Sequence, residues 1–143
     1  MGTFHQASQH QPGNPPVWIV DDDDDDQVFI QSAFEENTPS IQVLPLTDGY
    51  QLLTRLQKTD RLPRLIILDV NMPGLSGFET LLQLRSTPAY ADLPVVLMTT
   101  SSDPADQARG LALGANQFLT KPNTYQQLSS ITQLLTRQWV ATD

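Results

Sequence analysis

The sequence contains no cysteine among its 143 residues. This absence excludes disulfide bonds, metal sites built from thiolates and enzymes that use a cysteine nucleophile. A chain without disulfides is compatible with a reducing compartment, and we expect a cytoplasmic location. The length suits one domain with its own hydrophobic core.

Basic residues are also scarce, with eight lysines and arginines against sixteen aspartates and glutamates and a formal net charge of -8. Nucleic-acid-binding surfaces need clustered lysine and arginine, so we expect no nucleic-acid partner. Much of the charge comes from one feature, because residues 21–26 are all aspartate. Such a run is normally a solvated tail, but apolar stretches flank this one on both sides.

Long apolar stretches are missing as well. None approaches the roughly 20 residues that a transmembrane helix requires, so we expect no membrane span. Residues 1–16 lack the basic start and apolar core of a secretion signal and are rich in glutamine, proline and small polar residues. The sequence predicts a disordered leader over 1–16, one domain over 17–140 and a short tail over 141–143.

Short apolar runs, each followed by a pattern of helical spacing, make up the rest of the chain. The runs lie at 17–20, 41–46, 65–69, 94–98 and 117–120. Strands that alternate with helices predict an α/β fold, in which helices cover both faces of a five-stranded, doubly wound parallel sheet. Pro45 cannot donate a hydrogen bond within a sheet, so its strand is predicted at an edge.

Several helix ends carry recognisable capping residues. Asp103 followed by Pro104 predicts the start of the fourth helix, and Gly114 predicts its end. Asn123 or Thr124 is expected to cap the last helix. Within the acidic run, Asp26 is the predicted cap of the first helix, and residues 23–25 are predicted to form a solvated loop.

Polar side chains follow four of the predicted strands at the point where each strand ends. They are Asp21 and Asp22, Asp69, Thr99, and Lys121. Ligands of such sheets bind at the carboxyl ends of strands, beside the point where the strand order reverses. We therefore expect three carboxylates, a hydroxyl and an ammonium group to share one site.

The chemistry of this set favours a phosphoryl group and a divalent cation. Close carboxylates repel one another, and oxygen ligands without cysteine or histidine suit Mg²⁺. A divalent ion can orient a phosphoryl group for transfer, with one carboxylate as the nucleophile. The hydroxyl and the lysine can hold the remaining phosphoryl oxygens.

Four segments resemble, in order, the motifs of response-regulator receiver domains. They are IVDD at 19–22, LIILDVNMPGLSG at 65–77, PVVLMTT at 94–100 and GANQFLTKP at 114–122. The resemblance covers about residues 17–139 and implies strand order 2-1-3-4-5. It also implies a signalling phosphoacceptor that assists its own phosphorylation and dephosphorylation. A sensor histidine kinase or a histidine phosphotransfer protein would supply the phosphoryl group, and protein contacts would change in response.

The resemblance assigns roles by position. Asp69 matches the phosphoryl acceptor. Asp22 and Asp69 match direct Mg²⁺ ligands, Asp21 a ligand that acts through water, and Asn71 the position whose backbone carbonyl binds the metal. Lys121 matches the lysine that binds the phosphoryl group, and its bond to the following proline is expected to be cis.

Two switch positions follow from the same resemblance. Thr99 matches the switch hydroxyl; Thr100 and Ser101 are nearby competitors, but the spacing favours Thr99. Phe118 matches the switch aromatic, here without a phenol hydroxyl, and core filling is the alternative for it. Phosphorylation is expected to move the loops after the fourth and fifth strands, and the last two helices with the fifth strand would form the readout surface.

Three other kinds of protein share part of this pattern. A calcium loop needs glycine and glutamate at positions that hold Gln27 and Ala33, counting from Asp22, so it fails. A phosphatase of the haloacid dehalogenase type would carry a second aspartate where Asn71 stands. The third alternative is a degenerate receiver that acts only as an unphosphorylated interaction module, and the complete set of site residues argues against it.

The acidic first loop and RQW at 137–139 also resemble stand-alone regulators found beside phytochrome-type kinases. No output domain is expected, so the signal would pass to an unknown downstream protein by contact or by onward phosphotransfer. Some members of that group dimerise through the terminal helix region. Trp139 and Val140 would then either form a homodimer contact or cover the core.

Overall fold

Five short strands form one parallel sheet in the computed structural model, which describes residues 15–140. The strands are β1 (Val17–Val20), β2 (Val43–Leu46), β3 (Leu65–Asp69), β4 (Val95–Thr99) and β5 (Gln117–Thr120). Their order across the sheet is β2-β1-β3-β4-β5, and all neighbouring pairs are parallel. The predicted fold class and strand order are confirmed, and Pro45 lies on an edge strand as expected.

Five α-helices follow the strands between residues 15 and 140. They are α1 (Asp24–Asn37), α2 (Gly49–Lys58), α3 (Gly77–Ser86), α4 (Pro104–Ala112) and α5 (Tyr125–Leu135). A 3₁₀ turn at Pro88–Tyr90 follows α3, and a π-helical turn at Thr136–Val140 extends α5. In this part of the chain, no helix has the length and apolar character needed to cross a membrane.

The sheet separates two hydrophobic clusters because alternate residues of a strand face opposite sides. Trp18 and Val20 of β1 belong to a cluster with leucines of α2 and α3. Val17 and Ile19 belong to the other cluster, with residues of α1 and α5. All four β1 residues are fully buried, which explains their continuously apolar run.

The chain end packs against the cluster on the α1 and α5 side. Trp139 and Val140 both contact this cluster and are partly buried. The Val140 carbonyl also accepts a hydrogen bond from Arg64 Nη1 at 3.1 Å. These contacts favour the core-covering alternative for Trp139 and Val140 over an exposed dimer contact.

Three predicted helix ends are confirmed. The Asp103 side chain accepts a hydrogen bond from the Ala105 amide, and Pro104 is the first residue of α4. Gly114 follows this helix with a φ of 104°, in the left-handed region that favours glycine. Of the two candidate caps for α5, Thr124 is the one whose side chain accepts a bond from the helix.

The acidic run folds differently from the prediction. Asp23, not Asp26, caps α1: its Oδ1 accepts hydrogen bonds from the amides of Asp25 and Asp26 at 2.9 and 3.1 Å. Residues 23–25 are exposed as predicted, but the prediction that all three form a loop is wrong, because Asp24, Asp25 and Asp26 form the first helical turn. A cap must precede the free amides that it satisfies, and the extended backbone of Asp23 (φ -92°, ψ 116°) places it there.

The peptide bond between Lys121 and Pro122 differs from the prediction. No cis peptide bond occurs between residues 15 and 140, so the expectation of a cis bond after Lys121 is wrong. The predicted leader and tail lie outside the described residues, except for Pro15 and Pro16. The Pro16 carbonyl accepts hydrogen bonds from the amides of Arg64 and Leu65.

Candidate functional site

The strand order brings the predicted site residues to one edge of the sheet. Because Val20 of β1 pairs with Leu68 of β3, the next residues, Asp21 and Asp69, lie side by side. Thr99 ends β4, the strand on the other side of β3. Lys121 follows β5, and its amide donates to the Thr99 carbonyl at 2.6 Å. The predicted convergence of these segments is therefore present in the fold.

Three carboxylates form a group that could hold a metal ion. Asp21, Asp22 and Asp69 each offer an oxygen, and these oxygens lie within 4.8 Å of one another. Asp21 and Asp69 are buried, whereas Asp22 is exposed to solvent and leaves the group open on one side. An all-oxygen donor set of this kind fits Mg²⁺ rather than a metal that prefers sulfur or imidazole ligands.

Lys121 provides the positive charge at this edge. Its Nζ lies 2.9 Å from Asp21 Oδ2, 2.7 Å from Asp26 Oδ2 and 3.5 Å from Asp69 Oδ1. Burial opposes the charged form of this lysine, but its hydrogen bonds to Asp26 and Asp21 outweigh that effect, so the pKa of Lys121 is raised. The ammonium group is therefore a fixed positive charge beside the acceptor candidate.

Burial dominates the electrostatics of the carboxylates. The pKa of Asp69 is raised to about 7, mainly by burial and next by the negative charge of Asp21, against the opposing positive charge of Lys121. Burial also raises the pKa of Asp21, against the opposing hydrogen bonds from the Asp23 amide and Lys121. Two neighbouring acids with raised pKa values mark a place where a cation would stabilise the ionised forms.

The hydroxyl of Thr99 is held by groups from two loops. It accepts a hydrogen bond from Asn71 Nδ2 at 3.3 Å and another from the Ser101 amide at 3.1 Å. Thr99 is fully buried, whereas Thr100 is exposed and the Ser101 hydroxyl donates to Asp106. These contacts favour Thr99 over its two neighbours.

Asn71 links the acceptor candidate to the threonine, because its backbone amide donates to the Asp69 carboxylate while its side chain reaches Thr99. The metal-binding role of its carbonyl stays a prediction.

Phe118 is the one predicted switch residue that lies away from the carboxylates. It sits in β5 opposite Leu97 and is partly buried against the α2 and α3 cluster. A Cβ atom placed on Gly110 of α4 would lie 2.8 Å from both the Phe118 ring and Leu97. The ring therefore fills the space between β5 and α4, which agrees with core filling and leaves its switch role a prediction.

Two contacts of α1 were not predicted. Asp26 pairs with Lys121, and Gln27 is buried with its Nε2 donating to the carbonyls of Ile19, Asp21 and Leu46. Both contacts could have been predicted if the start of α1 at residue 24 had been known, because the start determines which side chains face the sheet. Residues four apart share a helix face, and Ile30, four positions after Asp26, is buried.

Gly77, the first residue of α3, packs directly under the acceptor strand. A Cβ atom there would overlap the Asp69 carbonyl oxygen and lie 2.7 Å from Val70 Cα, both backbone atoms that cannot turn aside. Gly77→Ala should lower the free energy of unfolding by roughly 1–3 kcal/mol, as for other overpacked sites. Urea denaturation measures this loss. Gln83→Ala, an exposed change in the same helix, should stay within about 0.5 kcal/mol of wild type; equal stability of the two variants would contradict the packing argument.

Comparisons with known proteins identify the family of this chain. A family model of the response regulator receiver domain matches residues 17–133. The chain is 29% identical over 136 residues to response regulator Rcp1 of Synechocystis sp., which covers 90% of this chain and 92% of Rcp1. It is 31% identical over 124 residues to the phosphate regulon transcriptional regulatory protein PhoB of Rhizobium meliloti. That match covers 87% of this chain and 53% of PhoB, so the chain spans about half the length of PhoB.

Solved structures give the same result. The phosphorylated cyanobacterial phytochrome response regulator RcpA superposes with a TM-score of 0.82 at 28% identity, covering 91% of this chain and 96% of RcpA. The Mn²⁺-bound form of Rcp1 superposes with a TM-score of 0.77 at 28% identity, covering 90% of this chain and 97% of Rcp1. The sheet order, the sequence motifs and the match over residues 17–133 together show that this chain belongs to the response regulator receiver family of two-component signalling.

Proposed function

We propose that Asp69 accepts a phosphoryl group in a Mg²⁺-dependent reaction. The observation that carries this proposal is that side chains after β1 and β5 converge on Asp69 at the end of β3. Lys121 Nζ lies 3.5 Å from its Oδ1, and oxygens of Asp21 and Asp22 lie within 4.8 Å. The acceptor is buried and held by the end of a central strand, so it is fixed in position for attack.

In the proposed reaction, Asp69 acts as the nucleophile. One of its carboxylate oxygens forms a bond to phosphorus, while the bond from phosphorus to the donor nitrogen or oxygen breaks. Mg²⁺ held by Asp21, Asp22, Asp69 and the Asn71 carbonyl would supply positive charge to the transferring group. Because the pKa of Asp69 is about 7 without a cation, that charge would also favour the ionised nucleophile.

Lys121 and Thr99 would bind the phosphoryl group once it is attached to Asp69. The ammonium group of Lys121 would bind one phosphoryl oxygen as a point charge, and the Thr99 hydroxyl would donate to another. Thr99 ends β4 and Lys121 follows β5, so a new contact to either side chain would shift the loops beside α4 and α5. The surface formed by α4, β5 and α5 would then present the signal.

The partners follow from the family and from similar proteins. The donor would be a sensor histidine kinase or a histidine phosphotransfer protein, and the receptor of the signal a further protein. Similarity to Rcp1 and RcpA supports a stand-alone phytochrome-associated regulator, and the Mn²⁺ in the Rcp1 structure supports a divalent cation at the acidic group. We propose that this phosphoryl transfer takes place in the cytoplasm. Size-exclusion chromatography with and without a phosphoryl mimic would show whether the chain forms a homodimer.

Incubation with acetyl phosphate and Mg²⁺ tests the proposal. The chain should gain one phosphoryl group that is stable in acid and labile in base, and peptide mapping should place it on Asp69. EDTA should prevent the gain. A chain that stays unmodified would support the unphosphorylated interaction module instead, and rapid turnover of many small phosphoesters would support the phosphatase.

A further inference from the structure

Asp26 is the acidic partner of Lys121 that stands outside the metal-binding group. The Lys121 Nζ lies 2.7 Å from Asp26 and 3.5 Å from Asp69, so the ammonium group is closer to α1 than to the acceptor candidate. Asp21 and Asp69 both belong to the group of three carboxylates that could hold a cation, whereas Asp26 does not.

We propose that Asp26 is a positioning residue that holds Lys121 away from Asp69 and so lowers the affinity of the site for a phosphoryl group. The inference rests on the proposed phosphorylation of Asp69 and adds a control on that site. A lysine ammonium group has three N–H donors, and in this structure they face three carboxylates. Two of these donors make hydrogen bonds, to Asp21 and Asp26, so a phosphoryl group on Asp69 must compete with both carboxylates for the position of the ammonium group.

A bound cation would leave Asp26 as the remaining competitor. Asp21 and Asp69 would hold the cation, and its positive charge would compensate their negative charge, so their attraction for Lys121 would weaken. Asp26 lies outside the metal-binding group and would still compete for the lysine, and the field of the helix N-terminus stabilises its carboxylate in the first turn of α1. Its carboxylate also adds negative charge beside the incoming phosphoryl group.

The contact between Lys121 and Asp26 is not enclosed in the core. The Lys121–Asp26 pair lies at the wall of a cavity of about 320 Å³, which Phe29 of α1 and Tyr125 of α5 also line. The Asp26 side chain is 33% exposed and that of Lys121 is 14% exposed. The ammonium group can therefore leave Asp26 without repacking the core.

Asp26→Asn should tighten the binding of the phosphoryl mimic beryllofluoride, in the presence of Mg²⁺, roughly threefold, the scale of a partly exposed ion pair. The matched control is Asp25→Asn, which removes the same charge from the same exposed helical turn. It should leave the affinity unchanged. Isothermal titration measures both, and equal affinities of the two variants, or weaker binding by Asp26→Asn, would overturn the inference.

A second measurement does not depend on phosphoryl chemistry. In EDTA, the ¹⁵N NMR signal of the Lys121 ammonium group should move and its protons should exchange faster in Asp26→Asn, but not in Asp25→Asn. If wild type fails to bind beryllofluoride, the proposed function fails, and the NMR comparison still decides whether Asp26 holds the lysine. An unmoved Lys121 signal in Asp26→Asn would show that it does not.

Discussion

Asp22→Asn is expected to abolish Mg²⁺-dependent phosphorylation, whereas Asp24→Asn is expected to leave it within about twofold of wild type. The two residues are two positions apart in the same acidic run, both are exposed, and both substitutions remove one charge. Only Asp22 belongs to the group of oxygens that lie within 4.8 Å of one another. Removing a ligand should weaken Mg²⁺ binding by about 100-fold, while a charge outside the group contributes only a screened, long-range attraction.

The measurement is a Mg²⁺ titration of phosphorylation by acetyl phosphate for both variants. A competing titration with Mn²⁺, followed by its paramagnetic relaxation, reports metal affinity without any phosphoryl transfer. Asp24→Asn controls for the loss of net charge from the run. Equal losses in the two variants would mean that the whole run acts as a diffuse negative field, and the division of the run into ligand and helix residues would be wrong.

Asp69→Asn is expected to stabilise the metal-free protein at pH 8, on the order of 2 kcal/mol, and to have a much smaller effect at pH 5. The folded pKa of Asp69 is about 7, above its ordinary value of 3.8. Between these values the folded protein keeps a proton that the unfolded chain has lost. The free energy of unfolding of wild type should therefore fall as the pH rises from about 4 to about 7. The asparagine variant should show a smaller fall, because the raised pKa of Asp21 still contributes to it.

Urea denaturation in EDTA at pH 5 and pH 8 measures the difference. Asp60→Asn, an exposed change in the loop that precedes β3, at the opposite end of that strand from Asp69, controls for the loss of one charge and should show no pH-dependent gain. Adding Mg²⁺ should restore much of the stability of wild type at pH 8, because the cation compensates the buried charges. A gain in Asp69→Asn that is equal at both pH values would contradict the electrostatic cause.

Local patterns in the sequence were enough to predict the strands. The predicted bounds of the first, third and fifth strands, 17–20, 65–69 and 117–120, equal those of β1, β3 and β5. Continuous apolar runs predict the strands of a parallel sheet well, because helices cover both faces of each strand. The alternation of strands and helices then predicted parallel strands whose carboxyl ends lie at one edge of the sheet. Asp21, Asp69 and Lys121 follow or end such strands, and they are in contact there.

The acidic run could not be divided correctly from the sequence. Six identical residues carry no pattern of their own, so nothing local says which aspartate begins the helix. The boundary is set by backbone geometry, in which extended Asp23 precedes the helical turn of residues 24–26. The Lys121–Asp26 contact joins residues 95 positions apart, and it depends on both that boundary and the position of β5.

The proline of β2 also affects how this chain meets other chains. The Leu46 carbonyl accepts a hydrogen bond from the Asp21 amide, so Leu46 faces β1 and its neighbour Pro45 faces away from the sheet. Pro45 thus removes a donor from the outer row of an edge strand, where an incoming strand would otherwise pair. An incoming strand would therefore find one backbone donor fewer at this edge, which disfavours edge-to-edge aggregation there.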